Sequence, residues 1–286
     1  MFFAGILVVF ACVIGGYLAL GGHIHVLWQP FEFVIIGGAA IGAFIISNPS
    51  SVLRDSKKAL QDAIKGSSYT KQDYLDLLSL LYMIFKLAKG KGMLALESHV
   101  EKPHESRIFG NFPKIVQDHH VVDFLCDYLR MLTLGTQNAS QVEDLINEEL
   151  ETHHYEKHRL GHAFVSMGDG LPALGIVAAV LGVIKTMGAI DQPPEVLGKL
   201  IGGALVGTFL GVLLSYGLVT PAASKINAVY EEESKYFLCI KASLLAFMNG
   251  YAPAIALEFG RKTIISDLRP SFYELEQTLA ALPKVD

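Results

Sequence analysis

The chain has 286 residues, carries a net charge of −5, and is 51% hydrophobic against 18% charged, with a mean hydropathy of +0.40. That balance excludes an ordinary soluble domain and points to a membrane protein with some polar mass. No basic tract suggests nucleic-acid binding, and the scattered Cys12, Cys126 and Cys239 read as buried free thiols, not as a disulfide framework or a CxxC metal pair.

In chain order, Phe2 to Leu20 is apolar and uncharged, and no Lys or Arg precedes Arg54. A signal peptide would want a basic start and a small-residue cleavage site, so this stretch reads as a retained span. A second span runs from about Phe33 to Ser47, with residues from Val26 onward as a possible extension. A third covers about Leu171 to Ile184 and a fourth about Leu200 to Val219, which makes two hairpins with short connections at Gly21–Gln29 and Lys185–Lys199. Lys and Arg are absent from the first connection and sit at the edges of the second. They open and close the long middle segment (Arg54, Lys57, Lys58, Lys65, then Lys157 and Arg159), so the middle segment and the tail are expected in the cytoplasm, with both termini inside.

The polar segments read as helical. Thr70 with Asp73, Ser140 with Glu143, and Ser271 with Glu274 each have capping-box spacing ahead of apolar residues. After Pro221 the tail reads helical to Phe247 and breaks at Asn249-Gly250 and Pro253. No strand alternation and no internal repeat is present. The expected fold is an all-α integral membrane protein with four transmembrane helices in two hairpins and a helical cytoplasmic domain. Its expected segments are a first transmembrane hairpin at 1–50, a cytoplasmic helical domain at 51–170, a second hairpin at 171–220 and a cytoplasmic helical tail at 221–286.

Several residues stand out, each with a plain alternative. Gly203, Gly207 and Gly211 recur every fourth position in the fourth span, which suits close helix packing, either within one chain or against a neighbour. The deep parts of the third and fourth spans carry no carboxylate and no His, only hydroxyls at Thr186, Thr208, Ser215 and Tyr216. If the chain conducts ions, the titrating acid should therefore come from another polypeptide. Glu32 is the acid near the second span and reads as interfacial. Pro172 and Pro221 flank the third and fourth spans as helix starts or as hinges. His154, His158 and His162, with His153 and Glu149 nearby, form a stripe that could hold zinc but reads more simply as a solvated face. Lys86, Lys89 and Lys91, followed by Glu97, read as solvated surface or as an electrostatic docking patch.

Five long stretches carry a resemblance: QPFEFVIIGGAAIGAF, LESHVEKPHESRIF, GDGLPALGIVAAVLGVIKTMG, LVGTFLGVLLSYGLVTPAAS and NGYAPAIALEFGRKT with RPSFYELE. Over nearly its whole length the chain resembles the MotA family of flagellar stator subunits. The resemblance implies a stator subunit that forms a proton-conducting complex with a MotB-type partner and uses no cofactor. It implies a pentamer around a partner dimer, in the bacterial inner membrane. The partner would supply a membrane aspartate, with Ala179, Thr186, Thr208, Ser215 and Tyr216 lining the ion pathway and the partner helices. Pro172 and Pro221 would couple ion flow to movement, and Lys89 and Glu97 would dock on the rotor protein FliG, with Lys89 standing where the family usually has arginine. Ala179, where sodium-driven relatives tend to carry threonine, favours protons over sodium, because an apolar side chain offers a hard cation no oxygen. The rival readings are an ExbB- or TolQ-like energiser of outer-membrane processes, a membrane metalloenzyme using the histidine stripe, and a self-sufficient channel or carrier.

Overall fold

A computed structural model describes residues 2–135 and 138–283. Residue 1, residues 136–137 and residues 284–286, which belong to the expected 1–50, 51–170 and 221–286 segments, lie outside the described residues. Every regular element among the described residues is helical. In chain order these are α1 (Phe2–Ala19), α2 (Ile24–Leu27), α3 (Pro30–Ser47), α4 (Ser50–Lys65), α5 (Lys71–Lys91), α6 (Glu97–Glu101), α7 (Pro113–Gln117), α8 (His119–Thr133), α9 (Ala139–Met187), α10 (Pro194–Leu214), α11 (Thr220–Met248), α12 (Pro253–Thr263) and α13 (Phe272–Ala280). A π turn at Ser215–Val219 joins α10 to α11, and short 3₁₀ turns lie at Met93–Leu96, Pro103–Glu105 and Phe109–Asn111.

Four helical stretches are long and apolar enough to cross a bilayer: Phe2–Ala19, Ile24–Ser47, and parts of Ala139–Met187 and Pro194–Met248. The first two match the expected spans, including the extension upstream of Phe33. The third and fourth lie within much longer helices, because no breaker other than proline interrupts them. The capping signals divide. Thr70 and Ser271 form complete capping boxes with Asp73 and Glu274. Ser140 does not cap α9. Asn138 does, its side-chain oxygen accepting from the amides of Ser140 (3.1 Å) and Gln141 (3.3 Å). Asparagine is as good an N-cap as serine, and it comes first.

The chain divides into two compact units, both discontinuous in sequence. The first comprises 1–66 and 156–229. Its core holds Ile36 and Ala40 of α3, Leu171 and Ala178 of α9, and Val206 and Leu210 of α10. α1 buries no residue, as an all-round apolar helix facing lipid should.

The second unit comprises 67–155 and 230–286. α5 is its central helix, with Tyr74, Leu77, Leu78, Leu81, Ile84 and Phe85 almost wholly buried. Each such side chain contributes about 2 kcal/mol. α12 and α13 pack on α5, and α6 packs on α8. Phe85 stacks on Phe247 with ring centroids 4.3 Å apart, and Tyr69 stacks on Tyr236 at 3.9 Å. α12, which sequence reading left as a break after Pro253, begins with that proline in its first turn. Its buried Arg261 is satisfied by Glu258 (2.8 and 2.6 Å) and by the Pro270 carbonyl (2.9 Å). Asp73 is also buried, which alone would push its carboxyl up. Hydrogen bonds from Lys114 and Thr70 outweigh that and hold it below the usual carboxylate range.

Candidate functional site

The long helices of the first unit meet along a seam of glycines. On α9, Gly161, Gly168, Gly175 and Gly182 recur at every seventh residue. A seven-residue period keeps one face of a helix turned to a neighbour. Their neighbours run in the opposite chain direction: Asn227, Thr220, then Gly211 and Gly207, then Ala204. At the centre the two backbones almost touch. A Cβ on Gly211 would lie 2.6 Å from the Leu171 carbonyl oxygen and 2.8 Å from the Gly175 Cα. Gly203 and Gly207 also face α3 or the residue before it: a Cβ there would lie 3.2 Å from Gln29 Nε2 and 2.8 Å from Glu32 Oε2 respectively. The three glycines of the fourth span therefore pack within the chain. Glu32, read from sequence as interfacial, turns one carboxylate oxygen inward against Gly207, buried and without a hydrogen-bond partner among the described residues.

Both prolines sit inside continuous helix. Pro172 lies within α9 and cannot donate to the Gly168 carbonyl four residues earlier. Ser215 takes that place: its hydroxyl donates to the Gly168 oxygen at 2.7 Å. Pro221 lies in the first turn of α11, directly after the π turn. That turn widens the helix where the proline ring would otherwise press on the Gly217 carbonyl.

The five residues expected to line an ion pathway separate into two groups. Tyr216 is exposed, and Ala179 and Thr208 are half-buried. Thr186 and Ser215 are buried inside the chain. The Thr186 hydroxyl donates to the Gly182 carbonyl (2.8 Å), so its oxygen serves its own helix. The Ser215 hydroxyl likewise donates to a backbone carbonyl, that of Gly168. The surface that α9 and α10 leave uncovered is apolar, with Ile176, Val180, Leu181 and Ile184 on one and Ile201, Leu205 and Val212 on the other.

Lys89 and Glu97 are both exposed, on either side of a chain reversal in the second unit. Lys89 is in the last turn of α5, where a cation complements the helix dipole. Gly92 (φ +87°) reverses the chain, its amide bonded to the Ala88 carbonyl at 2.9 Å. Met93–Leu96 then folds back on α5, and Glu97 opens α6. At Glu97 lies a shallow depression of roughly 460 Å³ lined by Leu94, Ala95, Glu97, Ser98, Glu101 and Lys102. Behind Glu97, the Ser106 hydroxyl accepts from the amides of Ile108 (3.2 Å) and Phe109 (3.3 Å) and meets His99 Nδ1 at 2.7 Å. Burial pushes the His99 imidazole below its ordinary value. In the histidine stripe, the rings of His158 and His162 are 6.4 Å apart. Among the described residues, no group of three or more His, Cys, Asp or Glu side chains could hold a metal ion.

Sequence reading singled out Gly203, Gly207 and Gly211 in the fourth span but not Gly161 and Gly168, where the seam continues along α9. The signal was the seven-residue spacing from Gly161 to Gly182, which extends beyond the apolar stretch and so escaped a search confined to spans.

Four apolar stretches long enough to span a bilayer, a glycine-packed pair of long helices and a separate helical unit define an all-α, multi-pass membrane protein. Residues 3–92 match the family described as Motility protein A N-terminal, and residues 117–238 match the MotA/TolQ/ExbB proton channel family. Motility protein A of Salmonella typhimurium is 46% identical over 97% of this chain and 94% of its own length. Motility protein A of Escherichia coli is 47% identical over the same shares. The chemotaxis protein LafT of Vibrio parahaemolyticus is 35% identical over 97% and 98%. Among solved structures, C. jejuni MotAB superposes with a TM-score of 0.76 at 20% identity, covering 93% of this chain and 96% of that one. The flagellar MotAB stator complex from Bacillus subtilis gives 0.71 at 25% identity, covering 90% and 92%. The chain belongs to the motility protein A family, which is a channel family and not an enzyme family.

Proposed function

We infer that this chain is the channel-forming stator subunit of a bacterial flagellar motor, which converts ion flow into torque. The full-length relationship to motility protein A carries the reading. Several chains assemble with a MotB-type partner, as a pentamer around a partner dimer, in the bacterial inner membrane. Both termini and the 67–155 and 230–286 segments are cytoplasmic, in line with the Lys and Arg that flank the spans on that side.

The coupling ion is the proton. Ala179 supports this, since a methyl group gives a sodium ion no ligand. The apolar stretches Leu171–Ile184 and Leu200–Val219 contain no acid, so the titrating carboxylate is the partner's. That aspartate lies against the faces of α9 and α10 near Ala179, Thr208 and Tyr216. Protonation removes the cost of holding a charge there and changes how the helices pack. The ring of subunits advances around the partner dimer, Pro172 and Pro221 carry the movement along α9 and α11, and Lys89 and Glu97 pass it to the rotor protein FliG.

Deleting the gene, then scoring swimming and staining for flagella, tests the reading. Normal filaments that do not rotate are expected. Normal swimming, in a strain shown to hold no second stator set, would overturn it.

A further inference from the structure

We propose that Ser215 is a positioning residue that replaces the N–H donor Pro172 lacks, and so joins the two proline breaks into one joint. The argument starts with the Gly168 carbonyl. In an unbroken helix it would accept from residue 172, but proline has no amide proton. A carbonyl left unpaired at a closed helix contact is costly. The Ser215 hydroxyl donates to it at 2.7 Å, and Ser215 has no exposed surface.

Ser215 is also the first residue of the π turn. Its own carbonyl accepts from the Thr220 amide, five residues on, one residue before Pro221. One side chain therefore binds the break in α9, while its backbone carbonyl holds the break between α10 and α11. The neighbourhood is closed: a Cβ on Gly168 would lie 2.7 Å from Thr220 Oγ1, which is buried without a hydrogen-bond partner among the described residues. Movement at Pro172 must then either drag the π turn with it or break this hydrogen bond.

This deepens the stator reading and rests on it for its mechanical part, while the bonding part stands alone. The bonding part is tested by a thermal double-mutant cycle on the full chain in detergent. In Pro172→Ala, residue 172 regains an amide proton that can bond Gly168. Ser215→Ala should lower the melting temperature by several degrees in the Pro172 chain and by little in Pro172→Ala. Equal losses in both backgrounds, or no loss in either, would overturn the proposal. The cycle is repeated with Thr220→Val, so that no second hydroxyl can take the place of Ser215.

The mechanical part is read from tethered cells. Ser215→Ala should reduce torque roughly twofold or more at an unchanged membrane level of the chain. Wild-type torque in that variant would overturn coupling through Ser215. A deletion strain that still swims would sink the stator reading and leave the thermal cycle intact.

Discussion

His99 sits where a single proton can be felt. Its Nδ1 faces a Ser106 hydroxyl whose oxygen already accepts two amides, so the hydroxyl proton points to the imidazole and the ring is neutral. Protonating Nδ1 would set two donors against each other. Burial has lowered the folded-state value from the ordinary 6.5, so over the interval below 6.5 the unfolded chain binds the proton and the folded chain does not. The stability that His99 contributes is thus full above about pH 6.5 and is lost as pH falls towards the lowered folded value. Melting measured at pH 7.5 and 5.5 should show a larger acid loss for the wild type than for His99→Gln, which keeps an acceptor and does not titrate. Arg261 predicts differently, because its charge is fixed. Arg261→Leu removes the donor to Pro270 and leaves Glu258 without its cation. It should cost about 3 kcal/mol, read as a lower melting temperature of the whole chain.

At the scale of the helix, closeness and not polarity sets the constraint. Gly211→Ala places a methyl group against the α9 backbone, which cannot rotate aside as a side chain could. A loss of about 1–3 kcal/mol is expected, seen as lower accumulation in membranes. Gly38→Ala, on α3 with nothing within 4 Å of the added carbon, should leave accumulation unchanged. Pro172→Ala should preserve assembly but stop torque, since it regularises the helix without adding bulk; rotation at normal speed in that variant would exclude a coupling role. The same scale shows what the sequence made legible. Hydropathy located all four crossings, and Thr70 and Ser271 announced their caps, because these signals lie within a few adjacent residues. Asn138 was passed over because two polar residues, Asn138 and Ser140, compete for one cap and spacing alone does not choose. The inward turn of Ser215 was hidden for a different reason. A hydroxyl in a span looks the same whether it faces a pore or a carbonyl 47 residues away.

For the molecule as a whole, Lys89 and Glu97 are exposed at one reversal of the second unit, apart in sequence from the apolar spans of the first. Their electrostatic effect in solvent is small, about 1 kcal/mol for each pair. Lys89→Glu should therefore slow swimming with no change in the amount of chain in the membrane, compared by tracking and immunoblot. The family and the crossings could both be read from the sequence because each rests on contiguous stretches. The division into units could not, since both are assembled from segments far apart in the chain.

The 49 residues of α9 form a single helix that runs on across the missing hydrogen bond at Pro172. At ~1.5 Å per residue its contour is roughly 74 Å, and a bilayer core uses only ~30 Å of that. The remainder is a built-in ruler. Inserting or deleting whole turns in its polar part would reset the reach of the helix while keeping its facing, a mismatch of dimension and not of chemistry.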